Sequence, residues 1–222
     1  MSIVKGSILG NSYIGAFATT NDRFTILSNA ATMNEEKMVE EALGTEVARA
    51  TVNGSGLVGV YTVANSNAIM VPEIMERHEI DMVKRAFPSI GVHVIRTSLN
   101  ALKNNILAND RIAVINPEYS NKEEKEISDA LGVETIRLSV GGFGTVGANN
   151  IITNKGLVLN NRASDEESER LKHLFKSISY STANLGAASI GLCAIANSKG
   201  IVVGEDTTGF ELARISEGLD LE

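Results

Sequence analysis

The segment Ile195-Ala196-Asn197-Ser198-Lys199-Gly200-Ile201-Val202-Val203 carries the reading of the fold. An asparagine sits in a short polar turn, with apolar residues before it and a β-prone apolar run behind it. The same arrangement recurs upstream. Asparagine stands at Asn21, Asn65, Asn109, Asn154 and Asn197, in steps of 44, 44, 45 and 43 residues. The apolar runs that follow cover 24–27, 68–71, 112–115, 157–159 and 201–203. A glycine precedes the asparagine by six or seven residues at Gly15, Gly59, Gly147 and Gly191; in the third copy Lys103 stands there instead. Self-similarity at a fixed period of this length marks a repeat architecture.

A second register lies further upstream. Ser7, Thr51, Ser98, Ser139 and Thr182 each follow, by two positions, Lys5, Arg49, Arg96, Arg137 and Tyr180. Glu46 to Val52 alternates and is β-rich, which predicts a first strand. A second strand is expected over 59–64, a tight turn over 65–67 and a third strand over 68–71. Asparagine suits such a turn because it tolerates a left-handed backbone. A charged helix follows. Its start is written as Asn34-Glu35-Glu36, or as a capping box in Ser120/Glu123, Ser164/Glu167 and Thr208/Glu211. Gly44 and Gly132 are left-handed stops. Each unit is therefore β-β-β-α, with approximate bounds 1–44, 45–90, 91–132, 133–175 and 176–222.

A unit of this size cannot enclose a core alone. Five of them can close into a ring, which removes exposed sheet edges. The expected fold class is α/β: a five-fold pseudosymmetric α/β propeller forming a single domain over 1–222. The ring should close where the fifth helix, near Thr208 to Leu219, meets the N-terminal strand.

Composition narrows the function. Of 222 residues, 43% are hydrophobic and 21% charged, so the bulk of the chain can bury a core and is not disordered. No apolar stretch approaches the length of a membrane span, and the N-terminus lacks the pattern of a secretory signal. A single cysteine excludes an intrachain disulfide. The expectation is a cytoplasmic protein with no membrane association. The net charge of −7 disfavours nucleic-acid binding by phosphate neutralisation alone and favours a basic protein partner. No Walker-type or GxGxxG pattern is present, and no cofactor is expected.

With the units placed, the chain resembles the translation initiation factor 6 family, the archaeal form especially. The resemblance runs the full length. It is carried most specifically by Ile195-Ala196-Asn197-Ser198-Lys199-Gly200 and by Gly204-x-Asp206-Thr207-Thr208-Gly209-x-Glu211-Leu212. Leu99-x-Ala101-Leu102-x-Asn104, Asn109-Asp110, Thr153-Asn154-Lys155-Gly156, Val63-Ala64-Asn65 and Val71-Pro72 add to it. The resemblance implies the propeller called a pentein. It implies binding to the large ribosomal subunit on its intersubunit face, through ribosomal proteins and local rRNA contact, and steric blocking of the small subunit. It also implies a part in large-subunit maturation, no catalysis and no DNA partner. A monomer is expected. The chain departs from the family pattern at Lys103, at Ala68 and Ile112, and at Leu159-Asn160.

Three groups of residues are candidates for function. The first is the set of loops between first and second strands, which pseudosymmetry places on one face. They are small, neutral and rich in Asn and Gly, which suits docking onto a rigid partner. The candidate large-subunit contacts there are Asn53, Ser55, Asn100, Lys103, Asn104, Phe143, Asn184 and Ser189. Asn104 lies in the family motif of the ribosome-binding face, and Lys103 beside it could meet an RNA phosphate. The second group is Lys5, Arg49, Arg96 and Arg137. If the first strand is innermost, they line a polar axial channel, as an anion site or as an internally bonded pore. The third is Cys193, expected on the second strand of the fifth unit. Other pentein proteins are guanidine-modifying enzymes with a nucleophilic cysteine near the C-terminus. That chemistry requires a thiolate and a nearby histidine, whereas His78 and His173 fall in charged helices and His93 has the wrong strand parity. A buried structural cysteine is the favoured expectation.

Overall fold

Each apolar run behind a turn becomes the central strand of a three-stranded sheet. The computed structural model describes residues 2–221. The central strands are β3 (Phe24–Ser28), β6 (Ala68–Pro72), β9 (Ile112–Ile115), β12 (Gly156–Asn160) and β15 (Gly200–Gly204), and every residue in them is buried. A strand buried on both faces needs a continuous apolar run, which is the pattern the sequence carries. On one side each pairs antiparallel with a short strand: β2 (Ala18–Thr20), β5 (Val63–Ala64), β8 (Ile106–Ala108), β11 (Ile151–Ile152) or β14 (Ala194–Ala196). These five neighbour one another and line the axis.

On the other side the pairing is parallel, with β4 (Glu46–Ala50), β7 (Gly91–Ile95), β10 (Glu134–Arg137), β13 (Ser177–Ser181) and β1 (Ser2–Gly6). A parallel partner requires a crossover, and an outer helix supplies it. The outer helices are α1 (Met33–Leu43), α3 (Arg77–Ala86), α5 (Asn121–Leu131), α7 (Asp165–Lys172) and α9 (Gly209–Leu219). The sheet is thus offset by one strand from the sequence repeat: its outer strand is the first strand of the following unit. The last sheet takes its outer strand from the start of the chain. β1 pairs with β15 from Ser2↔Gly200 to Gly6↔Gly204, which closes the ring.

The cores lie between neighbouring sheets. Leu27, Val39 and Leu43 of the first unit pack with Ile195 and Val202 of the fifth. Phe24 and Ile26 pack with Ile69, Val83 and Phe87, the two phenyl rings 4.4 Å apart. No unit buries its apolar face without the next.

Asparagine locks the turn end of the axis. The Asn65 carboxamide oxygen accepts the backbone N–H of Asn67 and Ala68, and its nitrogen donates to the carbonyls of Asn109 and Leu131. Asn21 donates to the Asn65 carbonyl, Asn109 to that of Thr153, and Asn197 to that of Asn21. The equivalent fourth position is Thr153, not Asn154, which makes every step 44 residues. Its hydroxyl accepts from the N–H of Lys155 and Gly156, so it holds the turn but has no amide to donate onward. Asn154 belongs one position later, with Asp22, Ser66, Asp110 and Ser198. Its amide donates to both Asp22 and Asp110.

Two further expectations are corrected. The span 59–64 is not one strand. α2 (Val58–Tyr61) is a helical turn, and only Val63 and Ala64 extend. The same holds for the 3-10 turn Ile14–Ala16 and for α4 (Leu102–Asn105), α6 (Val146–Asn149) and α8 (Ile190–Cys193). These turns ring the axis so tightly that a Cβ at Gly59 would lie 2.1 Å from the Gly15 carbonyl, and one at Gly191 2.1 Å from that of Gly147. Local β-propensity yields to this close approach. Secondly, the first strand is outermost. Lys5 is exposed, Arg49 pairs with Glu36, Arg137 with Glu124 at 2.8 Å and Arg96 with Glu73 at 3.6 Å. Arg49 and Arg137 thus face α1 and α5, and none of the four cations lines the axis.

Candidate functional site

The loops after the first strands reverse the chain in very few residues, so the backbone must enter the left-handed region. Asn53 (φ +50°), Gly54, Gly141, Gly142, Asn184 (φ +47°) and Gly186 do so. So do Leu9 (φ +55°) and Leu185 (φ +61°), where no side chain is at ease. What holds them is a glutamate at the start of each outer helix.

Glu35, Glu79, Glu123, Glu167 and Glu211 stand 44 residues apart, each three residues after its helix N-cap. In each case one task is the capping box. The other is the loop. Glu79, 2% exposed, accepts from the N–H of Asn53 at 2.8 Å and of Gly54 at 2.9 Å, and from the Thr51 hydroxyl. Glu35 accepts from Leu9 N–H, Glu167 from Gly141 N–H, and Glu211 from Gly186 N–H and the Thr182 hydroxyl. Burial acts to raise the Glu79 and Glu211 carboxyls, but their hydrogen bonds outweigh it and both are held below the ordinary value. At Glu123 the bonds from the Ser120 and Thr97 hydroxyls lower it. The capping boxes at Ser120, Ser164 and Thr208 were legible in sequence; Glu76/Glu79 was not, because glutamate is not an ordinary N-cap residue.

The candidate contacts divide by position. Asn53 is exposed, and Ser55 is half-buried with its hydroxyl accepting Leu57 N–H. Asn100 is half-buried. The Asn104 side chain has no partner within the described residues, and its Oδ1 is shielded from solvent. Phe143 lies under the Arg162 guanidinium, 5.5 Å from the ring centre. Asn184 is occupied internally: its Nδ2 donates to the Ser12 carbonyl at 2.8 Å and its Oδ1 accepts from Thr207. The Ser189 hydroxyl points to Asn149 at 3.4 Å. Lys103, beside Asn104, is half-buried and lines the axial cavity.

One feature of this face was not anticipated. Met33 is 83% exposed, Phe210 78% and Leu185 74%, and Leu9 and Tyr13 are also exposed. Leu9 sits on the loop bonded to Glu35 at the start of α1, where Met33 lies; Leu185 sits on the loop bonded to Glu211, beside Phe210. The Ser12 hydroxyl donates to Asp206, and Asn184 bonds Ser12, so the first and fifth loops are tied together. Exposed apolar residues on adjoining loops mark an interaction surface. No periodicity announces them, because they fall in loops and at helix starts.

Cys193 is fully buried on α8, and burial together with the Glu211 charge pushes its thiol up to about 12. His78, His93 and His173 are all exposed. Among the described residues, no helix is long and apolar enough to cross a membrane, and no group of His, Cys, Asp and Glu could hold a metal ion.

Known proteins resemble this chain along its whole length. A translation initiation factor 6 from Pyrococcus abyssi is 38% identical over 226 residues, covering the whole of both chains. That of Thermoplasma acidophilum is 38% identical, covering 98% of this chain and 99% of its own. That of Methanocaldococcus jannaschii is 39% identical, over 99% of this chain and 98% of its own. The model of the eIF-6 family matches residues 3–218, and the chain belongs to that family.

Proposed function

We propose that this protein docks through its loop face onto the large ribosomal subunit and, while bound, keeps the small subunit from joining. The observation that carries the reading is the face itself: rigid loops held by buried glutamates, presenting apolar side chains on a member of the eIF-6 family. Preorganised loops lose little conformational freedom on docking, so more of the contact energy is available as affinity. Phe210, Leu185 and Met33 act as anchors, and Asn53, Ser55, Asn100, Asn104 and Phe143 supply the surrounding contacts. The action is steric and needs no reaction, no cofactor and no second copy of the chain. A part in maturation of the same subunit follows from the same contact.

The test is sedimentation with purified subunits. The protein should travel with large subunits and not small ones, and a stoichiometric excess should lower the yield of joined ribosomes at fixed magnesium. Unchanged joining in the presence of excess protein refutes the proposal.

A further inference from the structure

Among the asparagines of the chain, Asn53 alone is followed by glycine. It stands on the loop face, and both Asn53 and Gly54 are exposed. Val52 and Ser55 bracket them, each backbone N–H donating to the other's carbonyl, at 2.9 and 3.0 Å. With φ of +50° at Asn53 and +75° at Gly54, the pair forms a type I′ hairpin turn. Leu9-Gly10 and Gly141-Gly142 fill the matching turns between Ile8 and Asn11 and between Val140 and Phe143, without a carboxamide. Glu79 closes the turn from beneath. One carboxylate oxygen accepts the Asn53 N–H at 2.8 Å, the other the Gly54 N–H at 2.9 Å.

An asparagine before glycine is open to deamidation, because glycine carries no side chain to hinder attack on the carboxamide. Solvent hydroxide takes the Gly54 amide proton, and the nitrogen attacks the Asn53 Cγ. The N–Cγ bond forms, the Cγ–Nδ2 bond breaks, and the side-chain nitrogen takes a proton from water and leaves as ammonia. Water then opens the cyclic imide at either carbonyl. The net change is asparagine and water to aspartate or isoaspartate and ammonia. The imide holds ψ of Asn53 at about −120°, as at the first central residue of a type II′ turn, whereas the type I′ turn holds it at about +30°. Both turns keep the same positive φ there, so ring closure needs one motion, a flip of the peptide between Asn53 and Gly54. Packing does not oppose it: hairpins accept either turn, and nothing lies within 4 Å of a Cβ built on Gly54. Glu79 does. The flip swings the Gly54 N–H off its carboxylate, and the carboxylate charge opposes the negative charge that develops on that nitrogen. Burial acts to raise the Glu79 carboxyl, but its hydrogen bonds hold it below the ordinary value, so the charge is present at neutral pH.

We infer that Asn53-Gly54 is a site of spontaneous deamidation, latched in the folded protein by Glu79. The product places a new carboxylate in the turn and, as isoaspartate, an extra carbon in its backbone. The inference does not rest on the docking reading, because its test reads the chemical change at Asn53 and does not involve the ribosome.

The full chain is incubated at neutral pH, native and in urea, and aspartate and isoaspartate at position 53 are followed by peptide mass spectrometry. In urea, Asn53 should react ahead of every other asparagine. In the native protein it should react about tenfold slower or more, the effect of one hydrogen bond to a charged group that must break first. Glu79→Gln, with no charge and one acceptor oxygen, should recover most of that difference while still folded. Asn65→Ala, which weakens the fold at the opposite end of the ring, should keep the native wild-type rate. The wild-type comparison needs no variant and decides the site even if Glu79→Gln folds poorly. Another asparagine reacting first in urea, or equal native and unfolded rates, overturns the inference. So does a folded Glu79→Gln as slow as wild type, or an Asn65→Ala as fast as Glu79→Gln, which would assign the protection to global stability.

Discussion

The two ends of the ring use the same residue type for opposite purposes. At the turn end, Asn21, Asn65, Asn109 and Asn197 are buried, and each carboxamide donates from its own unit to a backbone carbonyl of another. At the loop end, Asn53 is exposed and the Asn104 side chain has no partner within the chain. There the structural work passes to the backbone and to five buried or half-exposed glutamates. The difference teaches how a symmetric ring treats its two ends differently. One end satisfies its polar groups internally; the other fixes its backbone from beneath and leaves the Asn53 and Asn104 side chains without a partner among the described residues.

The comparison breaks most completely if the ring is opened. Deleting residues 2–6 removes β1 and leaves β15 as a fully buried strand with a bare edge. The loss should consume most of the about 5–15 kcal/mol that holds a domain together. Calorimetry should show no cooperative transition near the wild-type melting temperature. A truncation that melts as before would mean that closure through β1 is dispensable.

Next comes a single turn. Asn65→Ala removes two donated and two accepted bonds at a fully buried site. With partner groups left unpaired, the cost should be about 2–4 kcal/mol. At about 2–4 °C per kcal/mol for a chain of this size, the melting temperature should fall by roughly 5–15 °C. Large-subunit binding per folded molecule should not change, because this end faces away from the loops.

The loop end answers to pH. Glu79, Glu123 and Glu211 have folded-state pKa values below the ordinary value of 4.5. A depressed carboxyl contributes stability above its unfolded pKa and loses it as pH falls through the folded one. Stability should therefore decline on acidification below about pH 4.5, the unfolded-state value. Glu79→Gln should flatten part of that decline and cost about 1–3 kcal/mol at neutral pH, since one acceptor oxygen becomes a donor facing N–H groups. An acid limb of the stability curve identical in wild type and variant would remove Glu79 from this role.

How far the sequence announces these features follows from their range. The 44-residue period, the central strands and three of the capping boxes are local patterns, and each was legible. The pairing of β4 with β3 rather than with its own unit was not, because both arrangements bury the same apolar pattern. The helical turn at Val58–Tyr61 was missed because Val-Gly-Val-Tyr is β-prone in isolation; only the carbonyl of the neighbouring unit forces it. In the fourth unit a count of asparagines selected Asn154, whereas the hydrogen bonds select Thr153. On the loop face, composition pointed to Asn and Gly, while Met33, Leu185 and Phe210 are the most exposed apolar side chains there.

That fourth unit offers a gain rather than a loss. Thr153→Asn supplies the amide missing from the ring, directed at the Asn197 carbonyl as Asn109 is directed at Thr153. One added hydrogen bond should stabilise by about 0.5–1.5 kcal/mol and raise the melting temperature by roughly 1–5 °C. A lowered melting temperature would show that the fourth turn is shaped for threonine.

The smallest effect on stability belongs to Asn104, and it separates the two ends most sharply. Its backbone N–H donates to the Ala101 carbonyl whatever the side chain is, so truncation leaves the turn intact. Its carboxamide makes no bond within the described residues and has a shielded oxygen without a partner. Asn104→Ala therefore removes nothing from the fold, and the melting temperature should stay within about 1 °C, as expected of a change that breaks no intramolecular interaction. On the large subunit the same amide can both donate and accept, against a protein backbone or an RNA edge. Losing it there leaves a partner group unpaired, at about 1–3 kcal/mol, or roughly a ten- to hundredfold weaker Kd. Thermal melting and quantitative co-sedimentation of the same preparation decide the matter. Weakened binding with an unchanged melt places Asn104 in the docking surface. A melt lowered by several degrees with unchanged binding per folded molecule would make it a turn residue, and the loop end would then use its asparagines as the turn end does.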